Sequence, residues 1–394
     1  MHEKKRIFIL GIEWPPSTFL KRKFEILHNS NKFSLVVGVY TKKSTRNTPY
    51  KIVRLPKTRD NFIKRLVYLL RHMLFMTLSP KKFIKVLNAA RYASKNPKQF
   101  FNRLLSYITV ANQRFDLVHF EWISHAYYYL PLLKALEKTF SVSARGRQVT
   151  IEPLLGKRYN QKLKEVLKHA RAVHCVSKAL EREIKNIYEH SDTQVIYNGV
   201  DITTFKCNPE KSSDGLNVIF IGSLIWRKGI DTALFIFSKY LETGNMGHMY
   251  IIGDGEERQK MFSTINNLHL NEQVTYLGKK NEKEVSEILQ NMDTLLLPSF
   301  AEGLANVILE AMATCTVPIV SDVHGNPEPI LHGKNGFVFP LLDVRKPVEF
   351  LHYLYTHPGK LYEMKKLARK TIEEKFTLKH MQVGHLKFYE RLLS

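Results

Sequence analysis

Short apolar runs alternate along this chain with longer stretches in which apolar residues recur every three or four positions. The runs of the first half are RIFILGI, FSLVVGVY, LVHFEW, FSVSA, AVHCVS and QVIYN; those of the second are NVIFIGS, MYIIG, VTYLG, TLLLPS, VPIVS and GFVFP. They are apolar throughout instead of alternating with polar residues, the pattern of strands covered on both faces. Intervening stretches such as YNQKLKEVLKHA and NEKEVSEILQNM have helical spacing. Strand and helix in alternation predict an α/β fold with parallel, doubly wound sheets.

One break divides the pattern. NGVDITTFKCNPEKSSDG, residues 198–215, is polar and gathers Gly, Pro, Ser and Asp ahead of a fresh strand at Asn217. Two Rossmann-like domains follow from it, 1–200 and 201–372, facing each other across a cleft. A chain of 394 residues is long enough to give each a sizeable core. The closing FTLKHMQVGHLKFYERLLS, within 373–394, reads as a helix beyond the second sheet.

Composition adds a direction. Hydrophobic residues make up 44% and charged residues 24%, a globular balance. Lys and Arg number 60 against 36 acids, and a net charge of +24 favours anionic partners. The excess is local: between Thr41 and Arg103 stand 17 Lys or Arg and one acid, Asp60. There, NFIKRLVYLLRHMLFMTLSPKKFIKVLNAARYA mixes cations with Phe, Leu, Tyr and Met at helical spacing. Either this segment lies on an anionic membrane surface through Lys64, Arg65, Arg71, Lys81 and Lys82, or it packs on the core with its lysines in water. No nucleic-acid module accompanies the charge, so nucleic acid is not an expected partner. The longest lipid-like stretch, Leu66 to Leu78, is 13 residues and holds Arg71 and His72, too short and too charged to span a bilayer. MHEKKRIFILGIEWPP reads as a first buried strand and not as a leader, because Glu13, Trp14 and two prolines follow at once. Cys175, Cys207 and Cys315 are far apart and form no CxxC pair. Neither a zinc site nor a disulfide framework is expected, and a reducing cytoplasm fits.

Candidate chemistry gathers in the second half. TLLLPS is a buried strand, FAEG turns the chain, and LANVILEAMAT is a helix. Glu302 then sits at the carboxyl end of a strand, where doubly wound sheets bind ligands. The amides of Gly303, Leu304 and Ala305, with Asn306 after them, open the helix, and free amides there suit a phosphate. Gly303 lets backbone approach the ligand. Glu310, two turns on in an apolar stretch, needs a partner, which a ligand hydroxyl would supply. Alone, the two acids are equally consistent with surface charge. VIFIGSLIWRKGIDTAL puts Arg227 and Lys228 in another strand-to-helix loop, either as solvated charges or as cations for a diphosphate. IIGDGEER holds Gly253 and Gly255 but no third glycine, so it is a poor dinucleotide fingerprint. HGNPEPI places Glu328 near the same edge.

The ordered series NGVD, GSLIWRKG, GDGEER, LPSFAEGLANVILEAMA, HGNPE and NGFVFP resembles glycosyltransferase family 4, the retaining sugar-nucleotide transferases of the GT-B fold. WPPSTFLKRKFEIL resembles the opening loop and first helix of that family. The resemblance implies that Glu302 binds the donor sugar, the amides of Gly303 to Ala305 hold the diphosphate, and Glu310 binds the ribose. It implies that Lys228 neutralises the leaving diphosphate, that the first domain binds the acceptor, and that the final helix crosses back onto that domain. Two positions depart from the family pattern. Ser223 stands where an arginine is frequent, with Arg227 as a substitute, and Glu121 stands where DLVHFEW would carry a second histidine after His119. RGR, with Arg145 and Arg147, lies after the next strand as a source of a polar contact.

The implied reaction moves a sugar from a UDP- or GDP-type donor to a hydroxyl of a glycan or lipid-linked acceptor. Retention is expected, with no cofactor beyond the donor substrate. No DxD-like metal pair stands in the donor region, in keeping with the metal independence usual in the family. Surface polysaccharide or lipopolysaccharide assembly, at the inner face of the cytoplasmic membrane, is the implied setting. The alternative suggested by Ser223 and Glu121 is a non-catalytic family member that stabilises or activates a partner transferase. A nicotinamide-dependent dehydrogenase fits worse, since no GxGxxG follows the first strand.

Overall fold

The computed structural model describes residues 4–40, 48–56, 65–67, 69–70, 72–73, 77–209 and 214–394. Lys64 and Arg71 of the expected membrane face lie outside them. Two compact units are present: Met1–Cys175 with Glu181–Ile196 and Gln382–Ser394, and Val176–Leu180 with Tyr197–Met381.

The first unit holds a seven-stranded parallel sheet of order β3-β2-β1-β4-β5-β6-β7. Its strands are β1 (Arg6–Glu13), β2 (Ser34–Tyr40), β3 (Lys51–Arg54), β4 (Leu117–Phe120), β5 (Phe140–Ala144), β6 (Ala172–Cys175) and β7 (Thr193–Val195). The apolar runs mark six of them; β3, an edge strand whose Lys51 and Arg54 are exposed, has no such signature. Ile7, Ile9, Val37, Leu117 and Ala172 form one core with Phe24 and Leu27 of the first helix, and Phe388 and Tyr389 of the last helix close it. Gly11 has φ +83°, and β1 slips register against β2 between Ile9 and Ile12. The His125 ring fills the space where a Cβ on Gly11 would stand.

The second unit repeats the plan in six parallel strands, ordered β10-β9-β8-β11-β12-β13. They are β8 (Leu216–Ile221), β9 (Gly247–Ile252), β10 (Val274–Gly278), β11 (Thr294–Leu297), β12 (Val317–Ser321) and β13 (Phe337–Phe339). In each sheet the chain runs outward through three strands and then returns to the other side of the first, so the switch point lies between β1 and β4 and between β8 and β11. The last helix, Leu378–Leu393, contributes residues from Gln382 onward to the first unit.

The cysteine expectation is corrected. Cys207 and Cys315 are joined by a disulfide, their Cα atoms 5.0 Å apart. A sequence separation of 108 residues hides the pair, and Cys315 stands in a left-handed turn (φ +66°). The bond ties the segment after β7 to the end of the helix Asn306–Ala313. Among the described residues no helix is long and apolar enough to cross a membrane.

Candidate active site

In the second unit, the loops after β8 and β11 meet. After β8 the chain makes a short 3-10 turn, Trp226–Lys228, then passes through Gly229 at φ +72° into the helix Ile230–Glu242. No side chain fits at Gly229, because the Pro298 carbonyl occupies the Cβ position. The Phe300 amide donates to the Arg227 carbonyl at 2.7 Å and locks the loops together. This closeness puts the Lys228 ammonium on Glu302 Oε1, while Ser299 Oγ donates to the same oxygen at 3.2 Å. The pair is mostly shielded but not sealed: the side chains keep 15% and 11% exposure.

Other expected donor residues are placed less uniformly. The helix starts at Asn306 and not at Leu304. The Ala305 amide is not open to a ligand, because it donates to Asn326 Oδ1 at 3.1 Å. The Asn306 side-chain oxygen is also occupied, accepting from Asn198 Nδ2 at 2.7 Å. The amides of Gly303 and Leu304 meet no acceptor among the described residues. Asn326 is fully buried and its Nδ2 has no hydrogen-bond partner. A buried amide without an acceptor is costly. With Lys228, these groups make a set of donors suited to an anion. Sequence reading missed Asn326; its only signal was a place inside HGNPE. Glu310 is half-buried on the same helix. Ser223 is exposed, and the Arg227 side chain forms no hydrogen bond or ion pair among the described residues. Gly253 serves packing: at φ +150° it lets the Gly222 carbonyl occupy its Cβ position, joining the turns after β8 and β9. Glu328 caps the helix that begins at Lys178, accepting from the Lys178 and Ala179 amides at 3.0 and 2.8 Å and from the Tyr197 hydroxyl at 2.7 Å.

His119 and Glu121, candidate catalytic residues from the sequence, lie in the first unit and are fully buried. Glu121 Oε1 accepts from Lys23 Nζ at 2.5 Å, and Oε2 from Arg145 Nη2 at 2.7 Å. His119 Nδ1 lies 2.8 Å from Ser141 Oγ, and its Nε2 lies 2.9 Å from Ser143 Oγ. His174 donates from Nε2 to the Ile196 carbonyl at 3.0 Å. Burial pushes the Glu121 carboxyl up, but Lys23, Arg145 and His119 outweigh it and hold it well below the usual range. Burial pulls the Lys23 ammonium down to about 8 against the pull of Glu121. Burial, then Lys23, holds His119, His174 and His385 below the usual histidine range, His174 at about 3. The geometry is that of an interior charge network.

The first unit also has a cavity that sequence reading did not find. It measures about 510 Å³ and is bounded by Glu13 and Tyr40, at the carboxyl ends of β1 and β2, with Arg65, Asn102, His125 and Tyr128. Arg65 Nε, Asn102 Oδ1 and His125 Nδ1 are buried there without hydrogen-bond partners. Arg65 thus borders a pocket instead of serving only as a surface cation.

Two doubly wound parallel sheets with interleaved helices in one chain are the architecture of the GT-B class of α/β proteins. The structure of Anabaena HepE in complex with UDP-glucose has this fold: it superposes with a TM-score of 0.71 at 15% identity, covering 98% of this chain and 99% of that one. Residues 201–371 match the model of glycosyl transferases group 1, and residues 77–204 match that of Glycosyltransferase Family 4. The chain belongs to the family 4 glycosyltransferases. Among curated relatives, N-acetyl-alpha-D-glucosaminyl L-malate synthase of Bacillus anthracis is 29% identical over 196 residues, 50% of each chain. An amylovoran biosynthesis glycosyltransferase of Erwinia amylovora is 25% identical over 347 residues, 82% of this chain and 81% of that one. The match spans half or less of the first of these curated relatives.

Proposed function

We propose that this chain transfers a sugar from a nucleoside diphosphate sugar, of UDP or GDP type, to a hydroxyl of a glycan or lipid-linked acceptor. The observation that carries the reading is the Lys228–Glu302 pair beside the buried, unpartnered amide of Asn326. As the C1–O bond to the diphosphate breaks, its electron pair goes to the phosphate oxygen and the sugar becomes cationic. Lys228, the amides of Gly303 and Leu304, and Asn326 Nδ2 meet the growing negative charge. Glu302 holds a sugar hydroxyl and Glu310 the ribose. The acceptor oxygen bonds to C1 from the face the diphosphate leaves, with retention, and its proton passes to the departing diphosphate. These donors do the work of a metal ion. The UDP-glucose complex of HepE supports a UDP-type donor, and the amylovoran relative supports a role in surface polysaccharide assembly.

The acceptor binds in the first unit, in the cavity whose unpartnered donors and acceptors await a hydroxylated ring. The same unit docks on the inner face of the cytoplasmic membrane: Leu78, Ile84 and Tyr92 are 83%, 54% and 89% exposed, around the lysines of the helix Pro80–Tyr92. The test is a thermal-shift screen of UDP-, GDP- and ADP-sugars, since a ligand that binds only the folded state raises Tm. One nucleotide class should stabilise the protein, and Lys228→Met should remove the shift. With an active acceptor in hand, Arg65→Gln should raise the acceptor KM about tenfold, the cost of roughly one hydrogen bond to a charged group, and leave the donor KM alone. Absence of any donor shift would refute the reading.

A further inference from the structure

The opposite edge of the first sheet carries a feature that sugar transfer does not use. At the amino ends of β1, β4 and β5 a cavity of about 480 Å³ is lined by Lys4, Lys5, Arg6, Lys82, Arg114 and Lys138. Six cations meet there from four separate stretches of chain, facing one carboxylate, Asp116.

The backbone under them is fixed. Asp116 Oδ2 accepts the Arg6 amide at 2.7 Å, and the Asp116 amide donates back to the Arg6 carbonyl at 2.9 Å. The Lys5 carbonyl accepts from Ser34 at 2.9 Å, and the Lys138 amide donates to Leu133 at 2.9 Å. The nearby carboxylates are already engaged. Asp116 holds a backbone amide, and Glu137 pairs with Lys85 at 2.9 Å. Among the described residues, Lys5, Lys82, Arg114 and Lys138 form no ion pair. Lys82 reaches inward to the Ala111 carbonyl. Burial, and next the charge of Lys138, lowers its affinity for a proton. Lys82 and Lys138 therefore lie close enough to repel. A surface under no constraint intersperses its signs. Here like charges are held together by ordered backbone, with space between them.

We propose that this cavity binds a phosphoryl anion, the chemistry shared by a lipid phosphate headgroup and a soluble phosphate ester. Lysine ammoniums act as point charges on phosphate and arginine as a planar fork, and the cavity is of ligand size. The site is separate from the Lys228 set, which belongs to the other unit, and it stands whether or not the donor reading does.

The test uses the full chain with two probes, inorganic pyrophosphate and phosphatidylcholine vesicles with or without phosphatidic acid. The wild type is compared with Lys82→Gln/Arg114→Gln, Lys138→Gln alone, and Lys228→Met. Pyrophosphate should raise Tm by a few degrees in wild type and Lys228→Met, less in Lys138→Gln, and in the double variant only by the part that the Lys228 set contributes. Stabilisation without vesicle binding assigns the site to soluble phosphates. Sedimentation with phosphatidic acid vesicles that is lost in the double variant, without pyrophosphate stabilisation, assigns it to a headgroup. Either response should weaken as salt rises. Equal responses in wild type and double variant, a pyrophosphate shift that only Lys228→Met removes, or no response to either probe overturns the proposal. Unchanged circular dichroism of the variants establishes that they fold.

Discussion

Glu121 and Glu302 occupy corresponding places in the two sheets. Each follows the strand that pairs across the switch point, β4 beside β1 and β11 beside β8. Each takes a lysine from the segment after the sheet's first strand, Lys23 after β1 and Lys228 after β8. One pair is closed. Lys23 and Glu121 have no exposure, Arg145 supplies a second cation, and the Phe388 and Tyr389 rings lie 6.2 and 5.5 Å from His119. The other is open. Lys228 and Glu302 keep partial exposure, and Ser299 is the one further group recorded on the carboxylate among the described residues. The same arrangement therefore serves two ends. Where a helix and a third charge complete it, it holds the fold; where it is left incomplete, a ligand can complete it.

The largest expected effect follows from the closed pair. Glu121→Gln leaves Lys23 and Arg145 buried with their shared counter-charge removed. Breaking a buried pair in this way costs about 3–5 kcal/mol. For a unit of this size that lowers Tm by roughly 10 °C. Calorimetry of Glu121→Gln beside Glu302→Gln sharpens the contrast, since the second pair keeps some contact with water and should cost less than the fully buried one. Equal losses of stability would show that the second pair is structural too.

Activity should rank the pairs the other way. Glu302→Gln removes the group proposed to hold the donor sugar and takes the counter-charge from Lys228. A loss of about a hundred- to a thousandfold in kcat is expected, the size seen when one preorganised electrostatic group is removed. Donor-dependent transfer at fixed acceptor measures it. A Glu302→Gln enzyme within threefold of wild type would break the comparison at its functional end.

The open pair was more legible in the sequence than the closed one, for a physical reason. Lys228 and Glu302 lie in loops announced by unbroken apolar strands, and strand ends are where such sheets bind ligands. The thirteen described strands include one that the apolar runs did not mark, β3, whose ends are charged because it sits at a sheet edge. Lys23 and Glu121 meet across 98 residues, and nothing in LKRKFEIL distinguishes the lysine that turns inward from Lys21, which stays 65% exposed. The Asn326 contact with Ala305, the three unpartnered atoms of the Glu13 cavity and the Cys207–Cys315 bond are likewise products of tertiary packing. Charge excess could be counted along the chain, but its convergence at Lys82, Arg114 and Lys138 could not.

The smallest effect is one of pH, and it should belong to the closed site. His119, His174 and His385 are neutral in the fold because burial, then Lys23, opposes their protonation. In the unfolded chain a histidine titrates near 6.5. Below that value the unfolded state binds protons that the folded state does not, so stability falls as pH falls. For His174 the window runs from 6.5 down to about 3. At pH 5 the loss is about 2 kcal/mol for this residue, from 1.36 kcal/mol per pH unit. Glu121 acts in a different window: its folded value is depressed, so its contribution is lost only below the ordinary carboxylate range. Amide exchange at pH 7 and pH 5 separates the units. Protection on β4 to β6 should drop between those values, protection on β11 and β12 should change little, and His174→Gln should flatten the response of the first unit. A larger drop on β11 than on β4 would place the acid-sensitive network in the wrong sheet.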